Sequence, residues 1–562
     1  MLTLTGLLLR VKVKINQNVK MNDIWFKPAN KTPALSGQAI SDALLRVGDP
    51  IFIVDVDGAA GICQSGTLVA ASGAGPDPGL YKLLAMTMSL RPENLGSAAF
   101  KKRHGIRYAH VAGAMANGIS SVELVTAAGR AQMIGFFGSA GLSCNELEKA
   151  LIRLKAEASN ISWGVNLIHA PGSVDRESMM VDLYLKYGVR CISAAGYLRL
   201  TWPLVLYRLR GIHRTADGTV VCPNRVIGKV SRVEIARQFL YPAPAKIVAQ
   251  LLETGKINEI EAELSRFVPM ADDITAEADS GGHTDNRPAV TLLPSMMALR
   301  DECREKFAYA DTPCIGLAGG MGTPFAVAAA FIMGADYVLT GSVNQACVEA
   351  GTSDVVKKLL SEATQTDITM APAADMFERG VKVQVLKQGT LFALRAARLF
   401  ELYHQYDGLE QIPSDARTEL ETKILQESLD AAWAQTRIFF TEYDPAQIER
   451  AETDPKHKMA LVFRSYLGRS SRWAIAGDLQ RAKDFQIWCG PAMGAFNEWA
   501  AGSFLADPAN RTFETVAMNL LFGACVTIRR ANLINGDIAL PTDAGRYAPL
   551  PLDVIQKIAK AT

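Results

Sequence analysis

Short apolar runs alternate with segments of helical period through the middle of the chain. Eight of these runs predict strands: Tyr108–Ala112, Gln132–Phe136, Trp163–Leu167, Arg190–Ser193, Val226–Val230, Asp273–Glu277, Cys314–Ala318 and Tyr337–Thr340. Strands that alternate with helices indicate a parallel sheet of the α/β class. Eight such units over about 240 residues predict a (β/α)₈ TIM barrel, whose active site lies at the carboxyl ends of its strands.

The pattern differs on both sides of the predicted barrel, which we assign to residues 106–384. Residues 1–105 mix strand-like runs, such as Leu2–Ile15, with turn clusters, and they predict an N-terminal β-rich region. Helical periods dominate residues 385–562, which we interpret as a helical C-terminal domain. A polar helical segment at 242–270 interrupts the fifth unit, and we interpret it as an insertion near the site that serves as a lid or a dimer contact.

Composition narrows the function classes. The chain has 59 basic and 57 acidic residues, so its charge gives no reason to expect a nucleic-acid partner. Its nine cysteines are scattered without a C-x-x-C pair, which argues against a disulfide framework and a structural zinc site, and no metal is predicted. Without a secretory signal, a cytoplasmic protein is expected. The uncharged stretch Thr312–Ala335 is broken by glycines and Pro324, so we predict no membrane span.

A glycine-rich loop predicts a phosphate site. Gly319, Gly320 and Gly322 stand between an apolar strand and a helix, and Gly341-Ser342 follows the next strand. Glycines let backbone N–H groups approach an anion, and a helix N-terminus favours negative charge. Loops after strands seven and eight form the usual phosphate site of this barrel, although the same glycines could merely close tight turns.

The strand before them ends in a run with a histidine. Ser280, Gly281 and Gly282 can extend the phosphate cradle, and His283 then stands at the catalytic end of a strand. A lone histidine is often structural, but this position favours catalysis.

Three further elements predict contacts to a flavin ring. Asn166 and Lys229, near the ends of strands three and five, can hold the polar edge of the ring, and the ammonium would stabilise negative charge on it. Gly113, Ala114 and Met115, after strand one, offer small side chains and backbone where a ring could lie flat.

These motifs resemble the nitronate monooxygenase superfamily, which includes FMN-dependent enoyl-acyl-carrier-protein reductases. The resemblance runs from Tyr108 to Gly351 and rests on six segments: Val111-Ala112-Gly113-Ala114-Met115, Gly164-Val165-Asn166-Leu167, Gly228-Lys229-Val230, Gly281-Gly282-His283, Gly319-Gly320-Met321-Gly322-Thr323 and Gly341-Ser342. It implies that the first segment and Asn166 contact FMN, that the glycine runs hold its phosphate, and that His283 is catalytic.

The run Phe485–Asn497 resembles one branch, the enoyl reductase subunits of polyunsaturated fatty acid synthases (the PfaD type), whose relatives act on polyketide synthases. This resemblance implies an FMN enzyme that uses NADPH to reduce the double bond of enoyl thioesters on acyl carrier protein. Two alternatives stay open: a nitronate monooxygenase, and an architectural synthase subunit without turnover. A homodimer is also left open.

Aromatic and sulfur side chains in that run suggest a wall for a long acyl chain. We expect Trp488, Met493 and Phe496 near the barrel mouth, and packing inside the helical domain is the equal alternative.

Overall fold

The computed structural model describes residues 24–29, 32–70, 78–169, 174–541 and 544–560. These residues divide into two compact units. The described parts of 1–95, 324–332 and 517–562 form the first, and those of 96–323 and 333–516 form the second. The predicted strand Leu2–Ile15 lies outside the described residues, and the predicted three-domain boundaries stay a prediction.

The first unit contains an antiparallel sheet in the order β3-β2-β5-β1-β4. Its strands are β1 (Ile24–Pro28), β2 (Ile51–Val56), β3 (Ala59–Cys63), β4 (Gly66–Ala70) and β5 (Tyr81–Thr87). Phe26 and Phe52 stack with ring centroids 4.4 Å apart, because alternate residues of the strands face one core. The β-rich character predicted for this part of the chain is confirmed.

Helices complete the first unit: Gly37–Leu45, Pro324–Ile332, the part of Phe513–Ile534 after residue 516, and Leu552–Lys560. Arg529 is fully buried and donates to the carbonyl oxygens of Leu44 at 2.8 Å and Arg46 at 2.9 Å. These carbonyls end the helix Gly37–Leu45, so the guanidinium satisfies acceptors that the helix itself cannot. Burial lowers the pKa of Arg529 to about 10.

The second unit is built on the predicted barrel. Its strands are, in chain order, β6 (His110–Ala112), β7 (Ile134–Phe137), β8 (Trp163–Ile168), β9 (Cys191–Ala195), β10 (His213–Arg214), β11 (Val220–Val221), β12 (Arg225–Val230), β13 (Asp273–Glu277), β14 (Gly282–His283), β15 (Cys314–Ala318), β16 (Val338–Thr340), β17 (Ile368–Pro372) and β18 (Lys382–Leu386). A closed parallel barrel has the order β12-β13-β15-β16-β6-β7-β8-β9. All eight predicted strands are confirmed, each within two residues at either end.

The amino-terminal end of the barrel holds a buried carboxylate. Asp273, at the start of β13, is fully buried and accepts from Nε2 of His104 at 2.7 Å, while Arg103 forms an ion pair with its other oxygen. Both partners belong to the helix Ala98–His104. Burial would raise the pKa of Asp273, but the hydrogen bond from His104 and the charges of His104 and Arg103 hold it below its usual range.

The insertion forms the helices Ala245–Glu253 and Glu259–Leu264. It begins after the C-terminal end of the helix Val233–Leu240 and leads into the start of β13, so it lies on the amino-terminal side of the strands. Glu261 accepts from the backbone N–H of Gly211 at 2.6 Å, just beyond the helix Trp202–Leu209. The expectation of a lid near the site is therefore wrong, and a dimer contact stays a prediction.

The remaining helices of the second unit follow the strands. Those of the barrel region are Val122–Arg130, Cys144–Glu157, Val174–Tyr187, Trp202–Leu209, Val233–Leu240, Ala289–Phe307 and Ser342–Gln345. Those beyond it are Asp354–Glu362, Phe392–Gln405, Ser414–Glu419, the π-helix Leu420–Leu425, Leu429–Tyr443, Pro445–Thr453, Pro455–Ala476, Ala492–Ala500 and the start of Phe513–Ile534. Across the described ranges, no helix combines the length and apolarity that a membrane crossing requires.

Candidate active site

His283 lies in a small sheet next to the carboxyl end of β13. Strand β14 pairs antiparallel with β18, which places His283 opposite Val383, and β18 pairs on its other edge with β17. The turn between β17 and β18 carries Asp375, and Oδ2 of this residue lies 3.0 Å from Nε2 of His283. Strand pairing therefore brings together two side chains that are far apart in the sequence.

The charge of Asp375 changes the acidity of the histidine. Partial removal of the ring from solvent would lower the pKa of His283, but the close contact and charge of Asp375, with a smaller contribution from Glu277, leave this pKa raised. The pKa of Asp375 is correspondingly lowered, because the bond and charge of His283 outweigh the effect of burial. The imidazolium form of His283 is thus favoured.

Lys229 and Ser280 meet at one carboxylate. Nζ of Lys229, in β12, forms an ion pair with Oε1 of Glu277 at the end of β13, and Oγ of Ser280 lies 3.4 Å from the same oxygen. The parallel register of β12 and β13 explains this proximity, since their carboxyl ends share one edge of the barrel. The predicted cation is present at the catalytic end, and Glu277 offsets its charge.

Three of the predicted cradle glycines are required by close packing. A β-carbon at Gly319 would lie 2.6 Å from the carbonyl oxygen of Asp279, and one at Gly281 would lie 2.8 Å from the backbone nitrogen of Gly490. A β-carbon at Gly322 would overlap the carbonyl oxygen of Ala492. The run that contains Gly490 and Ala492 therefore lies directly against the loops after β13 and β15.

Two other glycines face open space. Apart from the glycine itself and its two chain neighbours, no atom lies within 4 Å of the position that a β-carbon would take at Gly320 or at Gly341. Gly320 has a φ of +76°, a conformation that favours glycine. Beside them, Oγ of Ser342 accepts from the backbone N–H of Gly490 at 3.0 Å. Each of these two glycines, on consecutive barrel loops, thus has free space beside it.

Asn166 is buried in β8 with its oxygen already bonded. Oδ1 accepts from the backbone N–H of Ser139 at 2.7 Å and from its hydroxyl at 2.9 Å, and Tyr184 donates to the Asn166 carbonyl oxygen at 2.8 Å. These bonds fix the orientation of the carboxamide. Within the described residues no acceptor bonds its Nδ2, so this donor is available to a ligand.

The loop after β6 is held by its backbone. Gly113 donates to the carbonyl oxygen of Thr340 at 2.9 Å, and a β-carbon at this position would lie 2.6 Å from a methyl group of Leu339. The carbonyl oxygen of Met115 accepts from Ser120 at 3.2 Å. Ala114 lies between these two fixed residues. No hydrogen bond among the described residues joins this loop or Asn166 to His283, and a common role for them stays a prediction.

Gly282 lies beside the first of the three predicted wall residues. A β-carbon on Gly282 would lie 3.9 Å from the indole of Trp488, which is half-buried. Met493 and Phe496 are fully buried, and Phe496 packs on Trp499 with ring centroids 5.5 Å apart. Trp488 thus adjoins the loop of His283, whereas Met493 and Phe496 belong to the packed interior.

Sequence reasoning missed Asp375, Glu277 and Gly490. Asp375 sits in a turn without a motif, so only the pairing of β14 with β18 reveals it. Glu277 is the last residue of a predicted barrel strand, and a polar residue at the carboxyl end of a strand is a signal that could have identified it. The contact of Gly490 is long-range and leaves no local pattern.

A parallel (β/α)₈ barrel with a histidine, a lysine and an asparagine at or near the carboxyl ends of its strands defines a protein of the barrel-enzyme class. Comparisons with known proteins make this more specific. Residues 244–429 match the nitronate monooxygenase family. Residues 406–485 match the inserted helical domain of [acyl-carrier-protein] S-malonyltransferase.

A solved structure matches most of the chain. The enoyl reductase domain of MlnA, from the macrolactin biosynthesis cluster of Bacillus amyloliquefaciens, is 40% identical with a TM-score of 0.75, and the match covers 79% of this chain and 100% of that one. The chain therefore belongs to the family of this enoyl reductase domain.

Curated relatives are longer proteins. One subunit of the polyunsaturated fatty acid synthase of Thraustochytrium sp. is 44% identical over 82% of this chain and 31% of its own length. Polyketide biosynthesis protein PksE of Bacillus subtilis is 45% identical over 78% of this chain and 57% of its own length. The chain thus spans about a third of the first relative and somewhat more than half of the second.

Proposed function

We propose that the chain is an FMN-dependent enoyl reductase that uses NADPH to reduce the carbon–carbon double bond of enoyl thioesters on acyl carrier protein. The observation that carries this proposal is the His283–Asp375 pair beside Lys229 at the catalytic end of a barrel of the enoyl reductase family. Synthases that elongate acyl chains need such a reduction for each double bond that they remove.

The residues at the carboxyl end of the barrel fit FMN. Gly320 and Gly341 leave space where backbone groups can approach a phosphate, and Nδ2 of Asn166 is an unbonded donor toward the polar edge of the ring. Lys229 supplies a cation at the same end of the barrel. Bound FMN would supply the chemistry of hydride acceptance from NADPH and hydride donation to the substrate.

His283 has the properties of a proton donor. Addition of a hydride to the β-carbon of an enoyl thioester leaves negative charge on the α-carbon and the thioester oxygen. An imidazolium with a raised pKa can hydrogen-bond that oxygen or protonate that carbon. The pairing of β14 with β18 positions the backbone that carries the ring for either role.

The substrate proposal rests on the relatives. One of them is named a subunit of a polyunsaturated fatty acid synthase, and another is named a polyketide biosynthesis protein. Carrier domains of such a synthase are therefore the proposed partners. A cytoplasmic location is consistent with nine unpaired cysteines.

The proposal is tested under anaerobic conditions with purified protein loaded with FMN. NADPH should bleach the flavin absorbance, and a crotonyl thioester should restore it with turnover. A protein that binds no flavin, or a reduced flavin that the enoyl thioester fails to reoxidise, contradicts the proposal.

A nitronate monooxygenase is the second candidate, because residues 244–429 match that family. It would consume oxygen with a nitronate and leave a crotonyl thioester untouched. Oxygen uptake on nitronate without enoyl-stimulated NADPH oxidation would favour it. A colourless protein that supports synthase assembly would favour an architectural role.

A further inference from the structure

We propose that Asp375 is the positioning residue of this site: it holds His283 through Nε2, so that Nδ1 is the ring nitrogen that faces the substrate. The inference deepens the proposed function, because it assigns the atom that would deliver the proton. It stands on the 3.0 Å contact between Nε2 and Oδ2 and on the strand pairing that produces it.

The two side chains are presented by one sheet. His283 lies opposite Val383 in β18. Asp375 lies in the turn that joins β17 to β18, close to His283. A short helical turn, Phe377–Arg379, follows Asp375, and Phe377 is fully buried. The turn that carries Asp375 is thus anchored by its own core residue.

The contact determines which nitrogen remains available. A carboxylate only accepts hydrogen bonds, so the 3.0 Å contact with Asp375 favours a hydrogen on Nε2 of His283. No residue in the described part of the chain bonds Nδ1. In the imidazolium form Nδ1 also carries a hydrogen, and this hydrogen is the one that can be transferred to a ligand.

The pair contributes orientation and charge more than stability. The side chains are 47% and 61% exposed, so solvent screens the attraction and little folding free energy is expected from it. The charged groups that face His283 are Asp375 from the β17–β18 turn, Glu277 from β13 and Lys229 from β12. Arg464, from the helix Pro455–Ala476, is a further charged group that acts on Asp375.

The proton balance of the reduction is simple. Nicotinamide supplies a hydride, with two electrons, that ends on the β-carbon and breaks the double bond. A proton leaves Nδ1 of His283 and bonds the α-carbon, and the neutral imidazole then regains a proton from solvent. The sum is one NADPH and one proton consumed for each double bond reduced.

Nuclear magnetic resonance of protein labelled at histidine tests this inference without turnover. The titration of His283 is assigned by its loss in His283→Gln and is followed in the native chain, Asp375→Asn and Asp375→Glu. Glu378→Gln is the matched control, because Glu378 lies on the same turn but pairs with Arg464 at 3.1 Å. Nitrogen shifts at high pH report which ring nitrogen carries the hydrogen.

In the native chain the midpoint should lie above the ordinary histidine value of about 6.5, and the neutral ring should carry its hydrogen on Nε2. Asp375→Asn should lower the midpoint, Asp375→Glu should restore it, and Glu378→Gln should leave it unchanged. The inference is overturned if Asp375→Asn changes neither the titration midpoint of His283 nor the ring nitrogen that carries the hydrogen.

Kinetics separate this inference from the proposed function. If the acid form of His283 is needed, kcat for enoyl reduction falls as the pH rises through the pKa of His283. Asp375→Asn should move this alkaline limb of the pH profile to lower pH. A native chain that lacks enoyl reduction while the resonance shifts behave as expected would refute the proposed function alone. Normal turnover with an unmoved limb would refute the role of Asp375 alone.

Discussion

At the scale of single residues, Gly320 tests the cofactor site most cleanly. Its missing side chain faces open space, so Gly320→Asp places a carboxylate where the phosphate of FMN is proposed to bind. Repulsion between the two anions should abolish flavin binding, as measured by absorbance after desalting.

The control for this variant is Gly255→Asp. Gly255 has a φ of +66° and also no atom within 4 Å of its β-carbon position, but it lies in the insertion. Both changes carry the same left-handed backbone cost of about 1–2 kcal/mol. Equal flavin loss in both variants would show that strain, and not the phosphate site, is responsible.

His283 is the second residue with a direct test. His283→Ala should bind FMN normally yet lose about 10²-fold or more in turnover, which is the usual contribution of a general acid. His213, an exposed histidine of the β10–β11 hairpin, provides the control His213→Ala. Enoyl reduction at the native rate in His283→Ala would make His283 a structural residue.

Single residues differ in how far the sequence predicts them. His283 could be proposed because a Gly-Gly turn at a strand end marks a catalytic position of the barrel. Asp375 could not, since its role depends on the pairing of three strands that no local pattern encodes. The glycines were found as a group, but only the structure separates Gly320 and Gly341, which face open space, from Gly281, which packs against Gly490.

At the scale of elements, the barrel strands were predictable because most of them are short runs rich in apolar residues that alternate with segments of helical period. Buried parallel strands carry apolar side chains on both faces, which distinguishes them from the helices between them. The insertion was placed wrongly although a signal existed. A segment between the end of a barrel helix and the next strand must lie on the amino-terminal side, away from the catalytic loops.

The junction between β13 and the helix Ala98–His104 gives a prediction of stability. Asp273→Asn removes the carboxylate that Arg103 and His104 share and leaves a largely buried guanidinium without a charged partner at that position. Loss of such a partner costs about 3–5 kcal/mol, which urea unfolding would measure. Asp553→Asn, which breaks the exposed pair with Lys557, should cost no more than about 0.5 kcal/mol.

The same carboxylate predicts a dependence on pH. Its folded pKa is lowered, so its stabilisation is present above the unfolded pKa of about 4 and is lost as pH falls through the folded value. The difference in unfolding free energy between the native chain and Asp273→Asn should therefore shrink below about pH 4. A difference that stays constant down to about pH 2 would contradict this assignment.

At the scale of the whole molecule, the sequence could not predict the discontinuous first unit. Its described residues come from both ends of the chain and from the helix Pro324–Ile332. The helix Phe513–Ile534 contributes to both units, and its uniform helical period gives no sign of that division. Long-range packing decides such boundaries, whereas composition and periodicity report only on neighbours in sequence.

The region beyond the barrel should matter for large substrates. Trp488 adjoins the loop that carries His283, so Trp488→Ala should lower kcat/KM more for a long enoyl–carrier substrate than for a short enoyl–coenzyme A. Trp433→Ala is the control, since Trp433, like Trp488, is half-buried and packs against the core of the helical region. Equal losses on both substrates, with a lower melting temperature, would assign Trp488 to packing.

The mass of the carrier-bound product tests the proposed function without any coupled assay. The purified chain, FMN and NADPH are incubated anaerobically with an enoyl–acyl carrier protein. The mass of the acyl group is then determined by mass spectrometry. Reduction adds a hydride and a proton, so the acyl group should gain the mass of two hydrogen atoms. We expect this saturated acyl group from the native chain and its absence in His283→Ala over the same time. An enoyl group recovered unchanged from the native chain with bound, reduced FMN would contradict the proposed function.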